Sequence, residues 1–275
     1  MNVATLKRKK EKLFSILERF DSLLVAFSGG VDSTLLLAAA KDVLKDRIKC
    51  VTAISSVISE EEADNAAGIA KELDVEHILC YPPIMENHEF QENTRERCRI
   101  CKQMIFSDIQ KISEKFGIKD IAHGVNIDDF SDYRPGIKAA KEMGIHAPLA
   151  EAGFDKQMIR SLAKQMSLPN WDRPAMACLA SRIPFHTPIH DRILRMIEKA
   201  EAVLLSSGFY SCRVRYHGDV ARIEISKEEF GKIADQDTRE YIAEQLKSLG
   251  FLYVSIDLQG YVQGSLNLSG EKSPG

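Results

Sequence analysis

Two groups of residues in this chain are of types and spacings that do chemistry. The first is Ser28-Gly29-Gly30-Val31-Asp32-Ser33, preceded by Ala26 and Phe27. Adjacent glycines let a backbone turn tightly and approach a ligand. Successive backbone N–H groups at a helix start form an anion site, to which Ser28 and Ser33 add hydroxyl donors. Asp32 would repel a bare phosphate. Beside a triphosphate its carboxylate makes sense as a Mg²⁺ ligand. The string is neither G-x4-G-K-[ST] nor G-x-G-x-x-G. A tight turn capped by Ser28 and Asp32 is the non-catalytic reading of the same residues.

The second group is made of cysteines. Cys98 and Cys101 form a C-x2-C flanked by Arg95, Arg97, Arg99 and Lys102. One such pair serves as a redox dithiol, half a zinc site or part of an iron–sulfur site. No second C-x-x-C follows. Cys178 lies in a proline-rich stretch with Arg173, Ser181 and Arg182. An exposed cysteine beside arginine is of the nucleophilic or metal-binding kind. Three thiolates hold three irons of a 4Fe-4S cluster and leave the fourth open to an outside ligand. Three unrelated cysteines is the plain alternative. Cys50, Cys80 and Cys212 lie in or beside strand patterns and read as small buried hydrophobes.

Other polar residues gather after later strands. His123-Gly124-Val125-Asn126-Ile127-Asp128-Asp129 puts a glycine, an amide and two carboxylates at a strand end. Gly124 would allow close ligand approach, and Asn126 and Asp128 would bond ribose or adenine edges or orient Mg²⁺. Arg134 follows as a candidate for a phosphate or carboxylate. Capped turns account equally well for the acidic stretch. Arg213 and Arg215 alternate on one strand, and Arg222 and Glu224 on the next. They read either as cross-strand ion pairs or as a grip on a mononucleotide.

These groups need elements to place them. Leu23–Phe27, Ile48–Ile54, His77–Leu79 and Ile121–His123 read as strands. Thr34–Leu44, Glu60–Leu73 and Lys102–Phe116 read as helices. The alternation predicts an α/β fold, a parallel sheet with helices on both faces and ligands at its carboxyl edge. Three prolines between Trp171 and Pro188 mark a connector. The reading gives domains 1–172 and 173–275, the second a small α+β domain whose strands alternate as if one face were wet.

The chain has 275 residues, 44% of them hydrophobic, a net charge of −3, and no membrane-length apolar run. That balance argues against a general nucleic-acid binder. The amphipathic first segment, with Leu6, Leu13, Leu17 and Phe20 near one face, lacks a signal-peptide core. A cytoplasmic protein with no membrane partner is expected.

SGGVDS resembles the PP-loop of ATP pyrophosphatases, which cleave ATP between its α- and β-phosphates. Taken with RCRICK, GVNIDDFSDYRPG, LPNWDRPAMACLASRIP, RVR and ARIEI in order, the chain resembles the LarE family over roughly Phe14 to Asn267. These are ATP-dependent sacrificial sulfur transferases that help build the nickel-pincer cofactor of lactate racemase. The resemblance implies a Rossmann-like adenine nucleotide alpha hydrolase fold and a symmetric homo-oligomer. It implies adenylation of a carboxylate of pyridinium-3,5-biscarboxylic acid mononucleotide, then conversion to a thiocarboxylate. In the simplest members the sulfur comes from the cysteine matched here by Cys178. Members with a C-x2-C use a 4Fe-4S cluster that carries an extra sulfide, and Cys98, Cys101 and Cys178 would hold it.

The expected catalytic residues are Cys178 and the Mg²⁺ ligand Asp32. Expected at ATP are Ala26, Phe27, Ser28, Gly29, Gly30, Asp32, Ser33, Ser55, Gly124, Asn126 and Asp128. Expected at the substrate are Arg134, Arg182, Glu201, Arg213, Arg215 and Glu224. Two departures from the family pattern stand out: Val262 replaces an arginine, and Arg99-Ile100 replaces an aromatic between the cysteines. A PP-loop tRNA thiolase, an amide-forming ligase of the NAD-synthase type and a non-enzymatic ATP or iron–sulfur carrier are the alternatives. The thiolase would need an extended basic face, and the ligase leaves the cysteines unexplained.

Overall fold

The computed structural model describes residues 3–130, 135–173 and 177–262. Arg134 lies outside them. The chain divides into two compact units, one of residues 1–90 and 95–176, the other of 91–94 and 177–275. Residues 91–94, which the sequence reading leaves in the first domain, thus go with the second unit.

The first unit runs α1 (Val3–Leu17), β1 (Leu23–Ala26), α2 (Val31–Leu44), β2 (Ile48–Ala53), α3 (Glu60–Glu72), β3 (Glu76–Cys80), α4 (His88–Gln91), α5 (Arg97–Phe116), β4 (Asp120–His123), α6 (Pro135–Glu142), α7 (Pro148–Ala152) and α8 (Lys156–Gln165). The four strands are parallel, in the order β3-β2-β1-β4. Leu23, Leu24 and Val25 are fully buried, as in a strand covered on both faces. On α1, Leu6, Leu13 and Leu17 are buried in the same core. Ala26 pairs with Val51 on one side and His123 on the other. The chain reverses its order of winding between β1 and β4, so the loop after β1 opens at a topological switch point.

Two helices of this unit start earlier than expected, α2 at Val31 rather than Thr34 and α5 further upstream. α5 begins at Arg97 rather than Lys102, so both cysteines of the C-x2-C sit in its first turns. Nothing between Arg97 and Lys102 breaks a helix, and Arg and Lys favour one.

The second unit holds a 3-10 turn (Leu179–Arg182), α9 (Asp191–Ser206), β5 (Cys212–His217), β6 (Val220–Ile225), α10 (Phe230–Ala234), α11 (Gln236–Ser248) and β7 (Tyr253–Ile256). β5 and β6 are antiparallel, and β7 joins β6 in parallel. Val214, Ile223 and Ile225 pack with Leu204, Phe209, Leu246 and Phe251 on one face. The opposite face is not wet as its alternation suggested. Arg213, Arg215 and Glu224 are 8%, 5% and 1% exposed, because the Leu179–Arg182 turn contacts this face and the charges pair with one another. Residues 91–94 are stapled here. Asn93, buried with φ 56, donates through Nδ2 to the Pro184 and Thr187 carbonyls at 2.8 Å each.

Candidate functional site

In the first unit the carboxyl ends of β1 and β4 meet the start of α2. Gly30 is the N-cap of α2, and no side chain caps it. The capping expected of Ser28 and Asp32 is therefore not made. The first N–H groups of α2 keep their donors for an anion. Ser33 Oγ instead donates to the Gly30 carbonyl at 3.0 Å and accepts from the Ser28 N–H at 3.3 Å. The Ser28 and Ser33 hydroxyls are 3.2 Å apart. Phe27 is fixed by its N–H to the Val51 carbonyl, 2.8 Å, and by Thr52 Oγ1 donating to its carbonyl, 2.7 Å. Gly29 has φ +71, and a Cβ there would lie 2.9 Å from Asn65 Nδ2.

Asp32 is the meeting point of three elements. Its Oδ1 accepts from Lys156 Nζ at 2.7 Å and its Oδ2 from Asn126 Nδ2 at 3.2 Å. Asn126 is held in turn by its N–H to Asp129, 3.0 Å, and by the Asp128 N–H to its Oδ1, 2.9 Å. Asp128 accepts from the Lys156 N–H at 2.9 Å, at the start of α8. Gly124 lies close against the start of α2. A Cβ there would sit 2.6 Å from the Ser33 nitrogen, so β4 can lie against the start of α2 only with glycine. Ser55 Oγ, just after β2, is buried with no hydrogen-bond partner among the described residues.

His123 ends β4 with its ring edge-on to Phe106, centroids 5.7 Å apart. Burial, then the nearby Lys102 ammonium, lowers its pKa to about 3, so it is neutral at physiological pH.

The cysteines fall into two classes. Cys50, Cys80 and Cys212 are buried. Burial raises their pKa values to about 12, 11 and 12. Cys98 and Cys178 are exposed and Cys101 is half-buried. Cys98 and Cys101 stand i,i+3 on α5, the spacing that puts two side chains on one helix face. Of the arginines around them, Arg97 is buried and Arg99 pairs with Glu142 at 3.4 Å. Among the described residues no group of three or more His, Cys, Asp or Glu is assembled to hold a metal. An H-x3-H spacing, not expected in this chain, is present at His186 and His190. Both histidines are exposed.

In the second unit Cys178 stands directly before the 3-10 turn, over a buried ion network. Arg182, 1% exposed, donates from Nε and Nη2 to the two Glu201 oxygens at 2.9 Å each. Its Nη1 donates to the carbonyls of Ala177 and Cys178 and to Ser181 Oγ. Arg215 bridges Glu224, 2.7 Å, and the Ser181 carbonyl, 3.1 Å. Glu224 also takes Arg222 at 3.0 Å. Arg213 lies 5.1 Å from the Tyr261 ring centroid. Of the six residues expected at the substrate, Arg182, Glu201, Arg215 and Glu224 are thus brought together beneath Cys178.

Three residues near the loop escaped the sequence reading. Lys156 follows the N-cap Asp155 and looks like an ordinary first-turn lysine. Asn65 lies in the middle of a polar helix. Asn170 follows a proline that marks only a turn. No local spacing links any of them to residue 29 or 32.

The asparagine synthase family profile matches residues 17–127. Over 267 residues, 96% of each chain, this protein is 38% identical to the pyridinium-3,5-bisthiocarboxylic acid mononucleotide synthase of Lactiplantibacillus plantarum. An uncharacterized protein of Synechocystis sp., slr1717, is 37% identical over 95% of this chain and 98% of its own. A glutamine-hydrolyzing GMP synthase component of Sulfurisphaera tokodaii is 25% identical over 53% of this chain and 43% of its own. No helix among the described residues is long and apolar enough to cross a membrane. The uncapped phosphate loop and a full-length relationship agree: the chain belongs to the LarE family.

Proposed function

We propose that this chain adenylates a carboxylate of pyridinium-3,5-biscarboxylic acid mononucleotide with ATP and replaces the activated oxygen with sulfur. The observation that carries the reading is the uncapped start of α2 with Asp32 beside it. The N–H groups of Val31, Asp32 and Ser33 and the Ser28 and Ser33 hydroxyls would take phosphate oxygens. The Asp32 carboxylate accepts from Lys156 Nζ. Asp32 fits Mg²⁺, which binds through one or two carboxylates plus phosphate oxygens. When bound, the ion supplies charge against the departing pyrophosphate. Lys156, freed from Asp32, would hold the same leaving group. Ser55 and Asn126 would meet the nucleoside.

A substrate carboxylate oxygen attacks the α-phosphorus, and the bond to the β-phosphate oxygen breaks. Sulfur then attacks the acyl carbon and AMP leaves. Thiols are the donor set of iron–sulfur clusters. Cys98, Cys101 and Cys178 would hold a 4Fe-4S cluster, which when bound supplies an open iron for exogenous sulfide. Arg182, Glu201, Arg215 and Glu224 would fix the Cys178 turn, and Arg213 and Arg134 would meet the anionic substrate.

One observation favours a second reading, in which Cys178 is itself the sulfur donor. It is exposed on a turn fixed from beneath. Its thiolate would form the thioester as AMP leaves. Loss of the Cα proton would then break Cβ–Sγ, giving the thiocarboxylate and dehydroalanine.

Cys178→Ala tests the division of labour. The variant is expected to release pyrophosphate with the substrate and to make no thiocarboxylate. Equal loss of both steps would make Cys178 structural. Repeated turnover with added sulfide and an unchanged Cys178 mass supports the cluster. One turnover with loss of hydrogen sulfide from Cys178 supports the sacrificial route.

A further inference from the structure

Asn170 is 4% exposed and belongs to the Leu168-Pro169-Asn170-Trp171 stem that leaves α8. Its Nδ2 donates to the Gly29 carbonyl at 2.7 Å and to Thr34 Oγ1 at 2.9 Å. The Asn170 Oδ1 is buried with no hydrogen-bond partner among the described residues. Asn65 Nδ2 donates to the same Gly29 carbonyl at 3.2 Å. Two side-chain amides therefore hold one peptide group of the phosphate loop.

That peptide is rigid. In a planar trans unit the C=O and the following N–H point opposite ways. Drawing the Gly29 carbonyl toward Asn170 turns the Gly30 N–H away from it. A hydrogen bond at one end of a peptide also polarises the other. An anion accepting from Gly30 N–H and the amide donating to Gly29 O thus reinforce each other.

The same residue anchors the stem. The Asn170 carbonyl accepts from the Arg173 N–H at 3.2 Å, and Arg173 reaches Glu61 at 3.0 Å. Trp171, the single tryptophan of the chain, lies 4.3 Å from Lys164 Nζ at its ring centroid.

We infer that Asn170 is a positioning residue for adenylation, aiming the Gly30 N–H at the phosphates and coupling their binding to the Trp171 stem. The inference rests on the ATP reading above. Coupling between two sites is reciprocal, so a bond strengthened by the ligand must be felt at the stem.

The single tryptophan makes this measurable on the whole protein. ATP with Mg²⁺ is titrated by calorimetry and by Trp171 fluorescence. In the wild type the emission should change with the calorimetric midpoint. Asn170→Ala should bind ATP on the order of tenfold more weakly, one hydrogen bond's worth, with Trp171 silent even at saturation. Asn65→Ala removes the second donor to the same carbonyl without touching the stem. It should also weaken binding but keep the Trp171 response, and it serves if Asn170→Ala fails to fold. A wild type that binds ATP with no Trp171 change overturns the inference. So does a full response in Asn170→Ala, or a silent Asn65→Ala. Absence of ATP binding in the wild type calorimetry would instead bring down the ATP reading on which the inference rests.

Discussion

Replacing Arg182 with methionine keeps an unbranched stem of similar reach and removes the whole guanidinium. Its Nε and Nη2 neutralise Glu201, which is 7% exposed. Its Nη1 holds the Ala177 and Cys178 carbonyls and the Ser181 hydroxyl. Stranding a buried carboxylate costs about 3–5 kcal/mol. The freed carbonyls belong to exposed residues that water can reach, so they add little. Glu201 Oε1 still accepts from the Val214 N–H at 3.0 Å, which keeps the loss at the lower end. Arg182→Met should therefore destabilise the protein by about 3 kcal/mol in urea unfolding, within the range for a broken buried pair. Glu201→Gln in the same background should restore part of it, with a coupling of about 0.5–3 kcal/mol in the double-mutant cycle. The second readout is Cys178 itself: its alkylation rate should rise as the turn loosens, while pyrophosphate release persists. A loss below about 1 kcal/mol, the level of a surface pair, with Cys178 reactivity unchanged, would refute the reasoning.

Asp32→Asn should lower ATP cleavage sharply in a pyrophosphate-release assay, because a neutral amide oxygen would hold Mg²⁺ more weakly than a carboxylate. Gly124→Ala should weaken ATP binding and lower the melting temperature, since its Cβ would meet the Ser33 nitrogen at 2.6 Å; calorimetry and thermal denaturation check both. Brief iodoacetamide treatment near pH 8 should label Cys98 and Cys178 and spare Cys50, Cys80 and Cys212, whose thiols are buried and pushed up to about 12, 11 and 12; peptide mass mapping reads the pattern. For His123 the folded pKa of about 3 lies below the ordinary 6.5. The unfolded chain therefore takes up the proton first, and stability present above pH 6.5 is lost as pH falls toward 3. Urea midpoints measured against pH should slope less in His123→Gln.

The strand and helix order of the first unit was legible because each strand is a short apolar run bounded by turn residues. The phosphate loop was legible because SGGVDS follows such a run. What escaped was long-range. The partner of Asp32 is Lys156, from a helix far along the chain, and nothing near either residue announces it. α5 starts at Arg97 rather than at the expected Lys102, since arginine and lysine extend a helix without adding an apolar signal. The alternation of Arg213, Arg215 and Glu224 looked like a solvated strand face. Alternation reports which side of a strand is polar, but not whether a charged turn from elsewhere will cover it. Asn93 in a left-handed conformation joins residues 91–94 to the second unit through carbonyls of Pro184 and Thr187, a link with no local pattern at all.

The most direct test of ATP-dependent sulfur transfer is a single anaerobic incubation of the purified protein with ATP, Mg²⁺, sulfide and pyridinium-3,5-biscarboxylic acid mononucleotide. Nucleotide products and the mononucleotide mass are followed together. AMP and pyrophosphate formed only with the mononucleotide present, with one of its oxygens exchanged for sulfur, is the predicted result. ADP and orthophosphate, or nucleotide cleavage with no sulfur gained by the mononucleotide, would contradict it.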